Sequence, residues 1–182
     1  MAMLPQACSQ RRIKMSVFAS NPKIVIDLAS LNDYTDICDI MKAHGIITYV
    51  YEFCFNGEII KYGLSADNSR NYGDRIYRQS GRLPGWKRST LVGPNGSEMH
   101  FINEDYKIKT GSSLNRHQMK ITVTDLSKQT KADCEELERY LIDTHINIHG
   151  VPPIGNKDIR TRFQSRKHHN TKQFISLFDE LA

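Results

Sequence analysis

Four stretches of the chain carry side chains that could do chemistry on a phosphate. Tyr49 and Tyr51 stand two residues apart, and Lys61 follows an Asn56-Gly57 pair. Side chains alternate along a strand, so a turn centred near Asn56 sets the two phenols on one face with Lys61 almost opposite Tyr51. An ammonium beside a phenol favours the phenolate, which can accept a proton; as plain structure, tyrosines in strands simply pack. Arg75 is followed one turn later by Arg78 and Gln79. Guanidinium groups clamp phosphate oxygens, although exposed helix arginines are ordinarily solvated. Glu135, Glu136 and Glu138 sit on a later helix, where one inward carboxylate could hold magnesium through oxygen and the others serve as surface. Last comes Pro152-Pro153-Ile154-Gly155-Asn156, either a rigid elbow or only a stop signal.

The elements that must position these groups can be read from periodicity. Lys23 to Leu28 alternates as a short strand, and Asn32 can cap a helix with Tyr34, Ile37, Cys38 and Met41 on one side, ending at Gly45. Ile46 to Phe55 and Glu58 to Leu64 are β-rich runs joined by Asn-Gly, the strongest short hairpin signal. Asp74 to Ser80 is helical, with a break at Gly81 and Pro84-Gly85. Ser97 can cap a helix carrying Met99, Ile102 and Tyr106 that ends before Gly111. Met119 to Leu126 is a further strand, Lys131 to Ile146 the clearest amphipathic helix, and Lys172 to Leu181 a short helix capped by Thr171. The expected fold is α+β: a small antiparallel three-stranded sheet with helices covering one side, plus an extra helix toward each end. Residues 1–22 lack periodicity and form a loose lead-in, leaving 23–182 as one domain with a basic C-terminal extension.

Composition narrows the function classes. With 182 residues, 39% hydrophobic and 25% charged, the chain suits one ordinary globular domain and excludes collagen, coiled coil and wholesale disorder. No apolar run approaches a membrane span, and Met1 to Met15 lacks the apolar segment of a leader, which points to a cytoplasm-like compartment. Cys8, Cys38, Cys54 and Cys134 are too scattered for a zinc or redox motif and read as free thiols. The net charge of +5 names no partner, but its placement does. Arg70, Arg75, Arg78, Arg82, Lys87 and Arg88 face the single acid Asp74. A second basic stretch gathers Lys157, Arg160, Arg162, Arg166, Lys167 and Lys172 beside His168 and His169. Such stretches suit a polyanion, whose counterions are released on binding, or else form a solvated face.

The ordered set resembles a known family. Gly45-Ile-Ile-Thr-Tyr49-Val-Tyr51, then Asn56-Gly57, then Lys61-Tyr-Gly63-Leu-Ser65, is similar to the GIY-YIG nuclease signature, above all to small type II restriction members with lysine in place of the tyrosine of YIG. Arg75 in Gly-Asp-Arg-Ile-Tyr-Arg resembles the family's helix arginine. Glu138 in Glu-Leu-Glu-Arg-Tyr-Leu-Ile resembles its metal-binding glutamate, and Asn156 its closing, site-supporting asparagine. The likeness runs from Gly45 to about Asn156. Tyr49 and Tyr51 lie four and six residues after Gly45, and Gln79 stands where the family often has His or Tyr. The resemblance implies a phosphodiester hydrolase with Mg2+ (or Mn2+) on Glu138, Tyr51 or Tyr49 as base, and Lys61 with Arg75 on the phosphoryl oxygens. Products would be 5′-phosphate and 3′-hydroxyl ends. Double-stranded DNA would be the partner, bound through Arg70, Arg78, Arg82, Lys87, Arg88, Arg160, Arg162, Arg166 and Lys167, by a restriction-like homodimer of a prokaryotic or viral host. A homing or repair-type phage nuclease, a non-catalytic nucleic-acid-binding protein on the same scaffold, and a protein-interaction module are the other readings.

Overall fold

The computed structural model describes Phe18 and residues 20–66, 72–86 and 98–156. The expected C-terminal helix and the Ser97 cap fall outside them. So do Arg70, Lys87, Arg88, Arg160, Arg162, Arg166 and Lys167, and all of the lead-in except Phe18 and residues 20–22.

Elements follow in the order β1 (Lys23–Asp27), α1 (Asp36–Ala43), β2 (Tyr49–Phe55), β3 (Glu58–Ser65), α2 (Asp74–Ser80), α3 (Glu98–Thr110), β4 (Met119–Asp125) and α4 (Lys131–His149), with a short 3-10 turn at Ile154–Asn156. The sheet has four strands in the order β1-β4-β2-β3, every pair antiparallel. The expected three-stranded sheet therefore gains a member. β1 lies along the outer side of β4, with Ile24 opposite Val123 and Ile26 opposite Ile121, and satisfies a row of backbone groups that β4 would otherwise leave unpaired.

Helices cover both faces rather than the one expected. On one face Tyr49, Tyr51, Phe53, Phe55, Ile121 and Val123 pack with Ile37 and Met41 of α1, Ile76 of α2, and Met99, Ile102 and Tyr106 of α3. On the reverse face Cys134 and Leu137 of α4 cluster with Val50, Leu126 and Phe18, while Ile142 and Ile146 cluster with Tyr62. Two apolar faces each need a cover, and strict alternation along β2 supplies both. Phe18, within the stretch read as a loose lead-in, is thus a core residue. Cys38, Cys54 and Cys134 are free thiols. Among the described residues no helix is long and apolar enough to cross a membrane.

Local rules explain the boundaries. Asn56 and Gly57 both adopt positive φ, 49° and 85°, as a two-residue primed turn demands. α1 begins at Asp36 rather than at Asn32, because the Asp36 carboxylate accepts from the backbone N–H groups of Asn32 and Asp33 and draws that stretch into a turn. α4 opens on a capping box in which the Thr130 hydroxyl accepts from Asp133 N–H and the Asp133 carboxylate accepts from Thr130 N–H; it runs on to Gly150 in the left-handed conformation. One arginine is buried. Arg116 donates to the carbonyls of Gly85, Leu28 and Leu31, each at 2.8 Å, and its guanidinium lies 4.5 Å from the Trp86 ring centroid. It ties three otherwise separate segments into one end of the sheet. Removing the α4 cap with Thr130→Ala should cost about 1 kcal/mol, measured as a lower denaturant midpoint at unchanged slope.

Candidate functional site

Register decides which side chains meet. After Phe55 opposite Glu58 and Cys54 opposite Ile59, the pairing shifts, and Phe53 faces Lys61. Ile60 is the extra residue of a β-bulge. Lys61 is therefore directly opposite Phe53 rather than Tyr51, and Gly63 is the residue opposite Tyr51. Tyr51 and Lys61 remain diagonal neighbours on one face, within reach for long side chains. Tyr49 is opposite Ser65 on the same face.

Gly63 is there because the phenol needs its space. A Cβ at this position would sit 2.3 Å from both Cζ and Oη of Tyr51, so the tyrosine ring lies across the bare backbone of β3. The Tyr51 hydroxyl bonds to Gln79 Oε1 at 3.1 Å, and Gln79, on α2, is buried. A phenol that donates to an amide oxygen is held in one orientation. Phe53 meets the Tyr51 ring edge-on, with centroids 5.6 Å apart. Tyr51 is 1% exposed and Lys61 0%.

Tyr49 occupies a different environment. Burial pushes its phenol up to about 12, against the opposing influence of Ser65, the Ile76 backbone and the Arg75 guanidinium. Its hydroxyl is buried without a hydrogen bond of ordinary geometry, although Ser65 and Ile76 approach it. At neutral pH it is a phenol and not a base. Arg75 itself is exposed on α2, with its charge felt at Tyr49. Arg78 is exposed and ion-paired one turn back to Asp74 at 2.9 Å, and Arg82 is half-buried.

Asn156 has a defined task. Its side-chain oxygen accepts from Tyr62 N–H at 2.8 Å, and its amide nitrogen donates to the Tyr62 carbonyl at 3.0 Å. The side chain thereby imitates a neighbouring strand along the outer edge of β3. Gly155 permits this approach, since a Cβ there would lie 2.8 Å from Lys61 Cβ and 2.9 Å from the Ile60 carbonyl. The elbow after α4 is thus a lid over Lys61 as well as a helix stop.

Glu138 comes from the other direction. It is half-buried on α4, whose apolar stripe packs on the reverse face. Cys134 and Ile142, one turn to either side, pack near Val50 and Tyr62 respectively, so Glu138 belongs to the helix over the reverse face, across the sheet from Tyr51 and Lys61, and the nearer open edge is strand β3. A site combining Glu138 with Lys61 must close around that edge. Glu135 and Glu136 are also half-buried. A cavity of about 230 Å³ opens on the reverse face among Lys23, Glu52, Thr122, Thr124 and Tyr140; Tyr51 contributes to its lining, and Lys61, Gln79, Arg75 and Glu138 do not. The sequence offered no sign of the bulge at Ile60, but the glycine opposite a tyrosine was a usable hint of close approach. No family model, curated protein or solved structure matches the chain.

Two outcomes follow from this packing. Gly63→Ala should force the Tyr51 ring off β3, costing roughly 1–3 kcal/mol and changing the near-ultraviolet tyrosine signal, because overpacking a tight contact strains its neighbours. A folded-state phenol raised above its unfolded value stabilises the protein below about pH 10 and loses that contribution as pH rises toward 12. Tyr62, which burial also raises to about 12, behaves alike. Stability should fall across that window, and Tyr49→Phe should flatten the decline in denaturation curves recorded against pH.

Proposed function

We propose that this protein is a GIY-YIG-like DNA endonuclease, restriction-like in kind and working in a cytoplasmic setting, that hydrolyses phosphodiester bonds with Mg2+ or Mn2+. The observation that carries the reading is the grouping of Tyr51, laid over Gly63 and bonded to Gln79, with Lys61 on the same strand face and Arg75 one turn before Gln79. Three separated parts of the chain meet there, each of the type that phosphodiester hydrolysis needs, and Asn156 fastens the strand that bears Lys61 and Gly63.

Among the described residues no three carboxylate, imidazole or thiol groups gather closely enough to enclose an ion. Magnesium is commonly held by one or two carboxylates, with substrate phosphate and water completing its shell. Glu138, half-buried on α4, would hold an ion shared with substrate phosphate in that manner. When bound, the ion would supply Lewis acidity toward the scissile phosphate. The chain's own groups do the remaining work. Tyr51, as phenolate, takes a proton from the attacking water, and Gln79 fixes the ring's angle toward it. In that state the Gln79 amide turns over and donates Nε2–H to the phenolate, since an amide oxygen cannot. Lys61 favours the phenolate and, with Arg75, neutralises charge growing on the phosphoryl oxygens. Tyr49 stays protonated and packs beside Tyr51, ring centroids 6.0 Å apart. Arg78, Arg82 and the basic segments outside the described residues would carry the duplex backbone, and a homodimer would match a palindromic site.

A second reading is a non-catalytic nucleic-acid-binding protein on the same scaffold. The near-complete burial of Tyr51 and Lys61 favours it, because a buried base meets water only if the site opens. Plasmid DNA incubated with purified protein separates the two. Cleavage with magnesium and none with chelator is expected, reduced about 100-fold or more by Tyr51→Phe and by Glu138→Ala with the fold intact. Salt-sensitive binding without cleavage on every DNA tried would select the second reading, and near-normal cleavage by Glu138→Ala would remove the metal role.

A further inference from the structure

A second cluster lies two turns along α4 from Glu138, about 10 Å down the helix axis, and no step above uses it. His145 and His149 are four residues apart and so share one helix face. Their ring centroids are 4.3 Å apart with the planes inclined at 40°. Two imidazoles on one tetrahedral ion, with metal–nitrogen distances of about 2.1 Å, set their centroids roughly 5 Å apart. The pair stands slightly closer than that, and a side-chain rotation that opens it by about 1 Å lets both rings reach one ion.

The surroundings also suit a cation. Tyr62 presents its ring edge-on to His145, centroids 6.3 Å apart, which fixes the imidazole's angle. Burial, then the neighbouring His149, holds His145 below the ordinary imidazole value, so at neutral pH it keeps the lone pair a ligand needs. Glu58, at the start of β3, pulls the other way, placing a carboxylate within electrostatic reach of the pair. That carboxylate is held by Lys109 Nζ at 3.7 Å and by the Tyr106 hydroxyl, and Lys109 is the cation that opposes occupation. The C-terminal end of α4 adds the negative pole of its dipole.

We infer that His145 and His149 bind a borderline divalent transition ion, zinc being the representative, with water completing the shell and the Glu58 carboxylate acting through its charge, since among the described residues no third His, Cys, Asp or Glu joins the pair. Imidazole prefers zinc, copper or nickel to magnesium, so this site is chemically distinct from the one at Glu138. A filled site would pin the last turn of α4 to the hairpin end of β3.

Zinc titrated into the full chain against a chromophoric chelator, in excess magnesium, tests the assignment. One zinc equivalent should bind, His145→Ala and His149→Ala should each weaken it about tenfold or more, and His145→Gln should do the same. Copper-loaded protein should show two-nitrogen coupling in its electron paramagnetic resonance spectrum, lost in the double variant. Lys109→Ala should tighten zinc by releasing Glu58. The variant His168→Ala/His169→Ala, which removes the other close histidine pair in the sequence, should retain the equivalent. Unchanged zinc uptake in His145→Ala/His149→Ala, with circular dichroism showing that variant folded, overturns the inference, as does an equivalent lost only with His168 and His169. Neither result touches the nuclease reading, which plasmid cleavage tests separately.

Discussion

A single inserted residue governs what the hairpin can do. A two-residue Asn56-Gly57 turn without interruption pairs residues whose numbers sum to 113, which would put Lys61 opposite Glu52 and hence on the face covered by α4. The bulge at Ile60 changes the sum to 114, moving Lys61 opposite Phe53 and onto the face of Tyr49 and Tyr51. Because strand side chains alternate with period two, that shift transfers every residue of β3 beyond it to the other side of the sheet. Gly63 thereby arrives beneath the Tyr51 ring, Ser65 beside Tyr49, and Leu64 in the cluster with Val50 and Leu137. The composition of both cores follows from that one irregularity.

The same face mixes packing with polarity in a way ordinary cores avoid. Tyr51 and Lys61 are as deeply buried as Phe53 and Ile121, yet each carries a polar head. Burial of such heads is costly unless satisfied, and it is the surrounding backbone that allows them to fit. Two glycines do this by having no side chain: Gly63 accepts the phenol ring, and Gly155 accepts the flank of Lys61. Gln79 supplies the phenol's partner from α2, a helix of only seven residues whose other inward groups are Ile76 and Ser80. Loss of any one of these would be felt first by side-chain placement and only then by the sheet.

Sequence patterning disclosed the elements well where local chemistry is strong. The Asn-Gly turn, the α2 span and the start of α4 at its Thr130 cap all depend on contacts within a few residues, and each stands where periodicity puts it. Long-range facts were less visible. Centring the turn on Asn56, instead of between Asn56 and Gly57, pairs Tyr51 with Lys61, and nothing in Glu-Ile-Ile-Lys marks Ile60 as a bulge, because no glycine or proline announces it; the true partner of Tyr51 is Gly63. β1 was legible as a strand but not as a partner of β4, since its alternation says which face is buried and nothing about which edge it joins. Glu138 illustrates the remaining gap. Helical periodicity located its helix, while the side of the sheet on which α4 lies came only from the packing of Cys134, Leu137 and Ile142. Arg116 carries no local signal in the sequence, as its burial depends on three carbonyls from segments up to 88 residues away.

The Asn156 amide has a bearing on self-association. An outermost strand with bare N–H and C=O groups is a template on which a second molecule can extend the sheet, and proteins defend against it with charges, prolines or coverings. Here a side chain already occupies the outward groups of Tyr62 on β3, and Pro152 and Pro153, incapable of donating to a ladder, precede it. Growth of a continuous intermolecular sheet past β3 is therefore closed off, and two copies brought together on a symmetric partner would have to meet through helices, loops or the far rim at β1.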